Sequence, residues 1–121
     1  MFDKTILINK VINALHANEF ETFVTHGSFD IVGRREHLFL IKTLLNVDAL
    51  DESHAMDLRA ISYFLSAYPF VVSQRNNRGH LDDETVYSRF ELPVVTPQLF
   101  KSMLQEEETI VTHSSKGRHT Q

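Results

Sequence analysis

Two residues of complementary chemistry lie on consecutive apolar runs of this chain. Asp30 begins one run, Lys42 lies in the next, and only the polar break 34–37 separates the two. Many metal-dependent nucleases place carboxylates and a lysine on neighbouring strands in this way, to hold a hard cation and to stabilise charge on the scissile phosphate. Such sites need a second acid two residues before the lysine, on the same strand face. Leu40 occupies that position, so the sequence predicts a nuclease-like scaffold with an incomplete metal pocket.

The missing acid favours a structural role for the two charged residues. One carboxylate holds Mg²⁺ weakly because this ion gives up its hydration water reluctantly. A partly buried ion pair between Asp30 and Lys42 is then expected, and loss of one partner would cost ~3–5 kcal/mol if the other stayed buried. Under this interpretation the pair is vestigial, and no catalytic residue, metal or cofactor is expected. Glu19 or Glu21 is the further acid that an active enzyme would recruit.

The doublet Arg34-Arg35 is the candidate contact with nucleic acid, because arginine is suited to forked phosphate recognition. The simpler interpretation is solvated charge at a strand end. The chain has a net charge of −4 and lacks the strongly basic footprint of a protein that binds nucleic acid by bulk charge.

The composition is that of an ordinary globular protein, with 121 residues, 42% hydrophobic content and no cysteine. Disulfides and thiolate metal sites are therefore excluded. No apolar run approaches the ~18 residues of a membrane span and the N-terminus does not begin a signal peptide, so the expected location is cytoplasmic. The seven histidines are scattered and none pairs at helical ligand spacing. We expect one domain over 1–112 and a flexible polar tail over 113–121.

Hydrophobic spacing and turn residues predict the order helix, three strands, helix, strand, strand, helix. Asp3, Asp51 and Thr96 are the predicted helix caps. The predicted elements are a helix over 3–18, strands over 20–25, 29–34 and 38–45, a helix over 51–67, strands over 69–73 and 92–95, a helix from Thr96, and an optional strand over 109–112. This order predicts an α/β sandwich with a mixed sheet.

Two finer expectations concern packing within these elements. The second helix is predicted to bury a stripe widened by aromatic residues, formed by Ala55, Leu58, Ile61, Leu65, Tyr63 and Phe64. The strand over 92–95 contains Pro93, a residue that an edge strand tolerates, since proline lacks the N–H that an inner strand uses.

The element order, with Asp30 and Lys42 in place, resembles the restriction-endonuclease-like fold, which includes archaeal Holliday-junction resolvases. Over about 5–112 the chain is similar to the N-terminal domain of a family of archaeal helix-turn-helix transcriptional regulators. The segments 29–34, 40–50 and 86–93 carry this resemblance, and 40–50 is the most specific of them. The implied architecture is a resolvase-like three-layer sandwich with a central mixed sheet flanked by helices.

The resemblance implies a non-catalytic regulatory and dimerisation domain of an archaeal DNA-binding transcriptional regulator. The expected partners are a second copy of the chain, as a homodimer, and DNA that is bound mainly through a separate helix-turn-helix (HTH) domain not present in these residues. The alternative is a metal-dependent, structure-selective DNA endonuclease of the Holliday-junction-resolvase type. A third possibility is a small-ligand sensor that uses the space beside Leu40.

Overall fold

A mixed sheet forms the middle layer of the protein, and helices cover both of its faces. The computed structural model describes residues 3–105. In chain order the elements are α1 (Lys4–Ala17), β1 (Glu21–Val24), β2 (Ile31–Arg34), β3 (Leu38–Asn46), a 3-10 turn (Val47–Ala49), α2 (Glu52–Leu65), β4 (Tyr68–Asn76), β5 (Gly79–His80), β6 (Tyr87–Arg89), β7 (Leu92–Val95) and α3 (Pro97–Met103). The predicted fold class, an α/β sandwich with a mixed sheet, is confirmed.

The strands within the described residues lie in the order β1-β2-β3-β4-β7-β6, and the short β5 pairs with the end of β4. β1, β2 and β3 form an antiparallel meander. β4 runs parallel to β3, as expected for two strands joined through a crossover helix, and β7 runs parallel to β4. The sheet therefore combines an antiparallel half with a parallel centre.

The strand over 92–95 does not lie at the sheet edge, because β6 pairs with β7 on its outer side. β6 lies in the polar stretch 80–91, where hydrophobic periodicity gives no signal. Pro93 is accommodated because β7 pairs with β4 only at Val94 and Val95, so the proline lies outside the stretch bonded to β4.

The first helix packs its apolar stripe against the sheet at Gly33 of β2, a residue without a side chain. Asp3 caps α1 by accepting a hydrogen bond from the Ile6 backbone N–H at 3.1 Å, as predicted. Leu15 of this helix is fully buried and lies over Gly33, where an added Cβ would come within 3.1 Å of the leucine side chain. Gly33 thus sets the close approach between α1 and the hairpin.

The second helix buries a narrower stripe than the sequence predicts. Ala55, Leu58 and Ser62 are buried, whereas Tyr63 is 58%, Phe64 86% and Leu65 52% exposed. The prediction that these last three residues join the core is wrong. Successive residues of a helix differ by ~100°, so Phe64, nine positions after Ala55, points away from the sheet.

The sheet separates two hydrophobic cores. One core lies under α1 and α3 and includes Phe39, Ile41, Phe70 and Phe100. The other lies under α2 and includes Leu40, which is fully buried. Alternate residues of β3 therefore belong to opposite layers of the sandwich.

The predicted strand over 109–112 and the predicted tail over 113–121 lie outside the described residues. Within 3–105, no helix has the length and apolar content needed to cross a membrane.

The cap of α2 gives a pH-dependent prediction. The Asp51 carboxylate accepts a hydrogen bond from the His54 backbone N–H at 2.8 Å, which lowers the pKa of Asp51 below its ordinary value of 3.8. Because the folded pKa is lowered, the cap stabilises the helix fully above pH 3.8 and loses this contribution as the pH falls through the folded value. We expect NMR titration of the Asp51 carboxyl to give a lower midpoint in the folded than in the urea-unfolded chain; equal midpoints would contradict the capping role.

Candidate functional site

Asp30 lies in a bend immediately before β2, with only 8% of its surface exposed. Its backbone is held from two sides: the Asp30 N–H donates to the Ile41 carbonyl at 2.8 Å, and the Thr25 N–H donates to the Asp30 carbonyl at 2.8 Å. The position of the carboxylate is therefore fixed by the β1–β2 loop and by β3 together.

The Asp30 carboxylate is bound by groups from two other elements. Its Oδ2 accepts from the Thr43 backbone N–H at 2.7 Å and from the Thr43 hydroxyl at 3.0 Å. The ammonium of Lys4, on α1, lies 3.4 Å from Oδ1. A buried carboxylate needs such donors, because charge removed from water is destabilising unless it is paired and hydrogen-bonded. These contacts tie the loop, β3 and α1 together through one side chain.

Lys42 does not take part in this cluster, so the predicted ion pair between Asp30 and Lys42 is wrong. Along β3, Lys42 shares the α2 side of the sheet with Leu40, whereas Asp30 binds Thr43 and the α1 side. Within 3–105 the Lys42 ammonium has no carboxylate within ion-pair distance.

The pairing register between β2 and β3 explains why the predicted ion pair does not form. Ile31 pairs with Ile41, so one further step of the antiparallel ladder would put Asp30 opposite Lys42 on the same face. β2 begins at Ile31, however, and Asp30 lies in the preceding bend. The Thr43 N–H therefore donates to the Asp30 carboxylate, where a regular ladder would offer it a main-chain carbonyl. The sequence places the two residues at the correct strand positions but does not reveal where the ladder ends.

The neighbouring acids do not complete a metal pocket at Asp30. Glu21 pairs with Arg34, at the end of the β1–β2 ladder opposite to the end where Val24 pairs with Ile31. At ~3.3 Å per residue, the three steps from Glu21 to Val24 put Glu21 about 10 Å along the strand. Glu19 lies still further along the chain, between α1 and β1. The suggestion that either glutamate supplies a second ligand next to Asp30 is therefore wrong.

A hard cation such as Mg²⁺, which a nuclease of this design needs, does not fit the residues at this position. The acid position two residues before the lysine holds Leu40, which is fully buried among apolar side chains. One Asp30 oxygen already accepts hydrogen bonds from Thr43, and the other contacts the Lys4 ammonium. The ammonium therefore occupies the position next to the carboxylate that a metal cation would need. Among residues 3–105, no group of three or more histidine, aspartate or glutamate side chains is arranged to hold an ion.

The arginine doublet lies at the far end of the hairpin and contacts the protein itself. Arg34 directs Nε and Nη2 to the Glu21 carboxylate, at 3.1 and 2.6 Å. Arg35 donates to the Asn18 carbonyl at 2.9 Å and lies over the Phe20 ring at 4.8 Å. Contact with nucleic acid through these arginines remains a prediction, and it would have to compete with these bonds.

A cavity of about 550 Å³ lies between the C-terminal half of α1 and the start of α3. Its walls include Lys10, Gln74, His80, Thr96 and Lys101. Asp30, Leu40 and Lys42 do not line it. This recess therefore lies away from Asp30, Leu40 and Lys42, and Leu40 is fully buried in the core beneath α2.

Sequence reasoning missed Lys4 and Thr43, the two residues that bind Asp30. A signal for Thr43 was present: it falls on the strand face of Phe39 and Ile41, which are both fully buried, so its hydroxyl requires a partner. Lys4 gave no such signal, because a lysine in the first turn of a helix is ordinarily solvated.

The fold agrees with the comparison with known families. Residues 4–110 match the PD-(D/E)XK superfamily domain, so the chain belongs to the PD-(D/E)XK superfamily. The name of the superfamily describes a pattern of acids and a lysine. The assignment of Asp30, Leu40 and Lys42 to that pattern, with the second acid absent, stays a prediction.

Several archaeal proteins are similar to most of the chain. One from Pyrococcus horikoshii is 33% identical over 119 residues, and one from Methanobrevibacter smithii is 26% identical over 111 residues. Both carry the name "Putative HTH-type transcriptional regulatory protein". The matches cover 95% and 89% of this chain but 38% and 36% of those relatives, so the chain spans little more than a third of their length. No solved structure matches the chain significantly.

The structural role of the buried carboxylate gives a stability prediction. Asp30→Ala leaves the Thr43 N–H and hydroxyl without their acceptor, so we expect a loss of about 3 kcal/mol in the free energy of unfolding, measured by urea denaturation. Lys4→Met should cost less than about 1 kcal/mol, because the Lys4 side chain is 43% exposed and its ion pair is screened by water. Asp83→Ala, at an exposed aspartate in the turn between β5 and β6, is the matched control. Equal effects of Asp30→Ala and Asp83→Ala would contradict the role.

Proposed function

We propose that the chain is a non-catalytic regulatory and dimerisation domain of an archaeal DNA-binding transcriptional regulator. The names of its relatives support the regulatory role, and their greater length is consistent with DNA binding by a separate HTH domain. Dimerisation would hold two recognition helices at the spacing of two half-sites on DNA. Such a domain would act in the cytoplasm, where the genome lies.

One observation carries the non-catalytic part of the proposal. The acid that would bind the metal is bound instead by Thr43 and Lys4, and its would-be companion is the buried Leu40. Residues 3–105 bring no two carboxylates together at Asp30, so the described part of the chain has no metal site there to lower the pKa of an attacking water. Lys42 alone cannot replace the ion, since it lies on the face of β3 opposite to the Thr43 hydroxyl that binds Asp30.

Membership in a nuclease superfamily favours a second candidate, a metal-dependent, structure-selective DNA endonuclease of the Holliday-junction-resolvase type. That function would require Asp30 to leave Thr43 and Lys4, to turn to the face of Lys42, and to meet an acid from elsewhere in a longer chain or in a second copy. Each step breaks contacts that the buried carboxylate needs.

A cleavage assay distinguishes the two candidates. We expect the purified chain to leave supercoiled plasmid and four-way junction DNA intact with Mg²⁺ or Mn²⁺, because residues 3–105 contain no group of acids and histidines arranged to hold an ion. The readout is the fraction of nicked or resolved DNA after prolonged incubation, beside a known resolvase as positive control. Metal-dependent cleavage that disappears in Lys42→Ala would establish the endonuclease instead. In the same samples, Mg²⁺ should not shift the melting temperature.

The dimerisation part has its own measurement. We expect sedimentation equilibrium of the chain to show a reversible monomer–dimer equilibrium whose dimer fraction rises with concentration. A species that stays monomeric at several hundred micromolar would remove the dimerisation part and leave the cleavage result to decide the non-catalytic part.

A further inference from the structure

The outer face of α2 exposes a continuous apolar stripe. Met56 is 56%, Tyr63 58% and Phe64 86% exposed, and the small residue Ala60 lies between them and is exposed as well. The positions 56, 60, 63 and 64 follow the spacing of four and three that puts residues on one side of a helix. Large apolar side chains are seldom left in water together on a soluble domain, so the stripe indicates a surface that meets a partner.

We propose that this stripe of α2 is the surface on which two copies of the chain associate, with the two helices antiparallel across a two-fold axis at Ala60. The inference rests on the dimerisation in the proposed function and names its surface. A two-fold interface uses the same patch on both copies, so residues at equal distances on either side of the axis face one another. Met56 of one copy then meets Phe64 of the other, and Asp57 meets Tyr63.

The helix is suited to this arrangement at its centre. Ala60 has a single methyl group as its side chain, which lets the two backbones approach closely at the axis. The larger side chains lie on either side of Ala60 along the helix and pack across the dimer interface. They are Met56, Tyr63 and Phe64. Each tyrosine hydroxyl is then placed to donate a hydrogen bond to the Asp57 carboxylate of the other copy.

The distribution of charge favours a second copy in this orientation. The acids of α2 and its cap, Asp51, Glu52 and Asp57, all lie in the N-terminal half. Beyond Arg59, which is held by Glu91 at 2.7 Å, the helix carries no charged residue. Antiparallel packing puts the acidic half of one helix against the uncharged half of the other, whereas parallel packing would put like charges together.

The size of the stripe predicts a dimer of moderate affinity. The exposed fractions of Met56, Tyr63 and Phe64 correspond to roughly 400 Å² of apolar surface per copy, using typical side-chain areas. This is about half of the ~800 Å² per partner in a standard stable interface. We therefore expect a dissociation constant in the micromolar range, which the rest of a longer protein would strengthen by adding contacts.

The first test compares three forms of the 121-residue chain by sedimentation equilibrium. Phe64→Ser should weaken dimerisation by more than tenfold relative to the wild type. Phe23→Ser is the matched control, because Phe23 is also a phenylalanine more than half exposed, at 54%, but lies on β1. Phe23→Ser should leave the dissociation constant unchanged. Both side chains are largely in water, so both variants should fold, which circular dichroism checks.

The second test examines the orientation by mixing complementary variants. Met56→Lys and Phe64→Glu should each weaken self-association. An equimolar mixture should form a heterodimer, because antiparallel packing puts the introduced lysine of one chain beside the introduced glutamate of the other and restores the Phe64–Met56 contact at the opposite end. A mixture no more dimeric than its components would overturn the antiparallel arrangement.

The outcomes separate this inference from the proposed function. A wild-type dimer that is unaffected by Phe64→Ser, or that is weakened by Phe23→Ser instead, would overturn the surface and leave the dimeric regulatory domain intact. A wild type that is monomeric at several hundred micromolar would overturn both the surface and the dimerisation, and would mean that another segment or partner covers the stripe. The cleavage assay is unaffected by either result.

Discussion

The structure depends on how one buried carboxylate is neutralised. Asp30 is almost entirely removed from water, and an unpaired charge there would destabilise the domain by several kilocalories per mole. Thr43 supplies two hydrogen bonds and Lys4 supplies a positive charge. Because these donors come from β3 and α1, the carboxylate fixes the β1–β2 hairpin to the centre of the sheet and to the first helix. In these contacts the role of the Asp30 carboxylate is structural.

Asp30 and Lys42 do not converge in this member of the PD-(D/E)XK superfamily. A hydrolytic site needs its acids and its lysine to converge on one ion. Here Asp30 binds groups on the α1 side of the sheet, Lys42 lies on the side of α2, and Leu40 belongs to the core beneath α2. A fold does not by itself dictate a function.

If the nuclease position does not carry the function, the outer surfaces become the place to look for it. The apolar stripe of α2 stands out because a helix that covers a sheet needs to bury only one side, and the other side is free to be polar. Exposed aromatic residues on that free side are not needed for the fold of the described residues. They are consistent with a domain that acts by bringing a second copy into position.

The sequence alone determined much of the architecture. Asp3, Asp51 and Thr96 were recognisable as caps, since their side chains satisfy the open N–H groups of a first helical turn, and the crossover between β3 and β4 implied their parallel pairing. The sequence also showed that Leu40 shares a strand face with Lys42, because residues two apart on a strand lie on the same side. These features depend on neighbours along the chain, which the sequence displays directly.

The tertiary structure decided what depends on residues distant in sequence. The hydrophobic period of α2 showed an amphipathic helix, but the width of its buried stripe is set by how much of the sheet it covers, and Tyr63 and Phe64 therefore stayed in water. The partner of Asp30 depended on where the β2–β3 ladder stops, which is at Ile31, since the Thr43 N–H beyond that pair donates to the Asp30 carboxylate. Periodicity assigns residues to the sides of an element, and only packing decides which side is covered and by what.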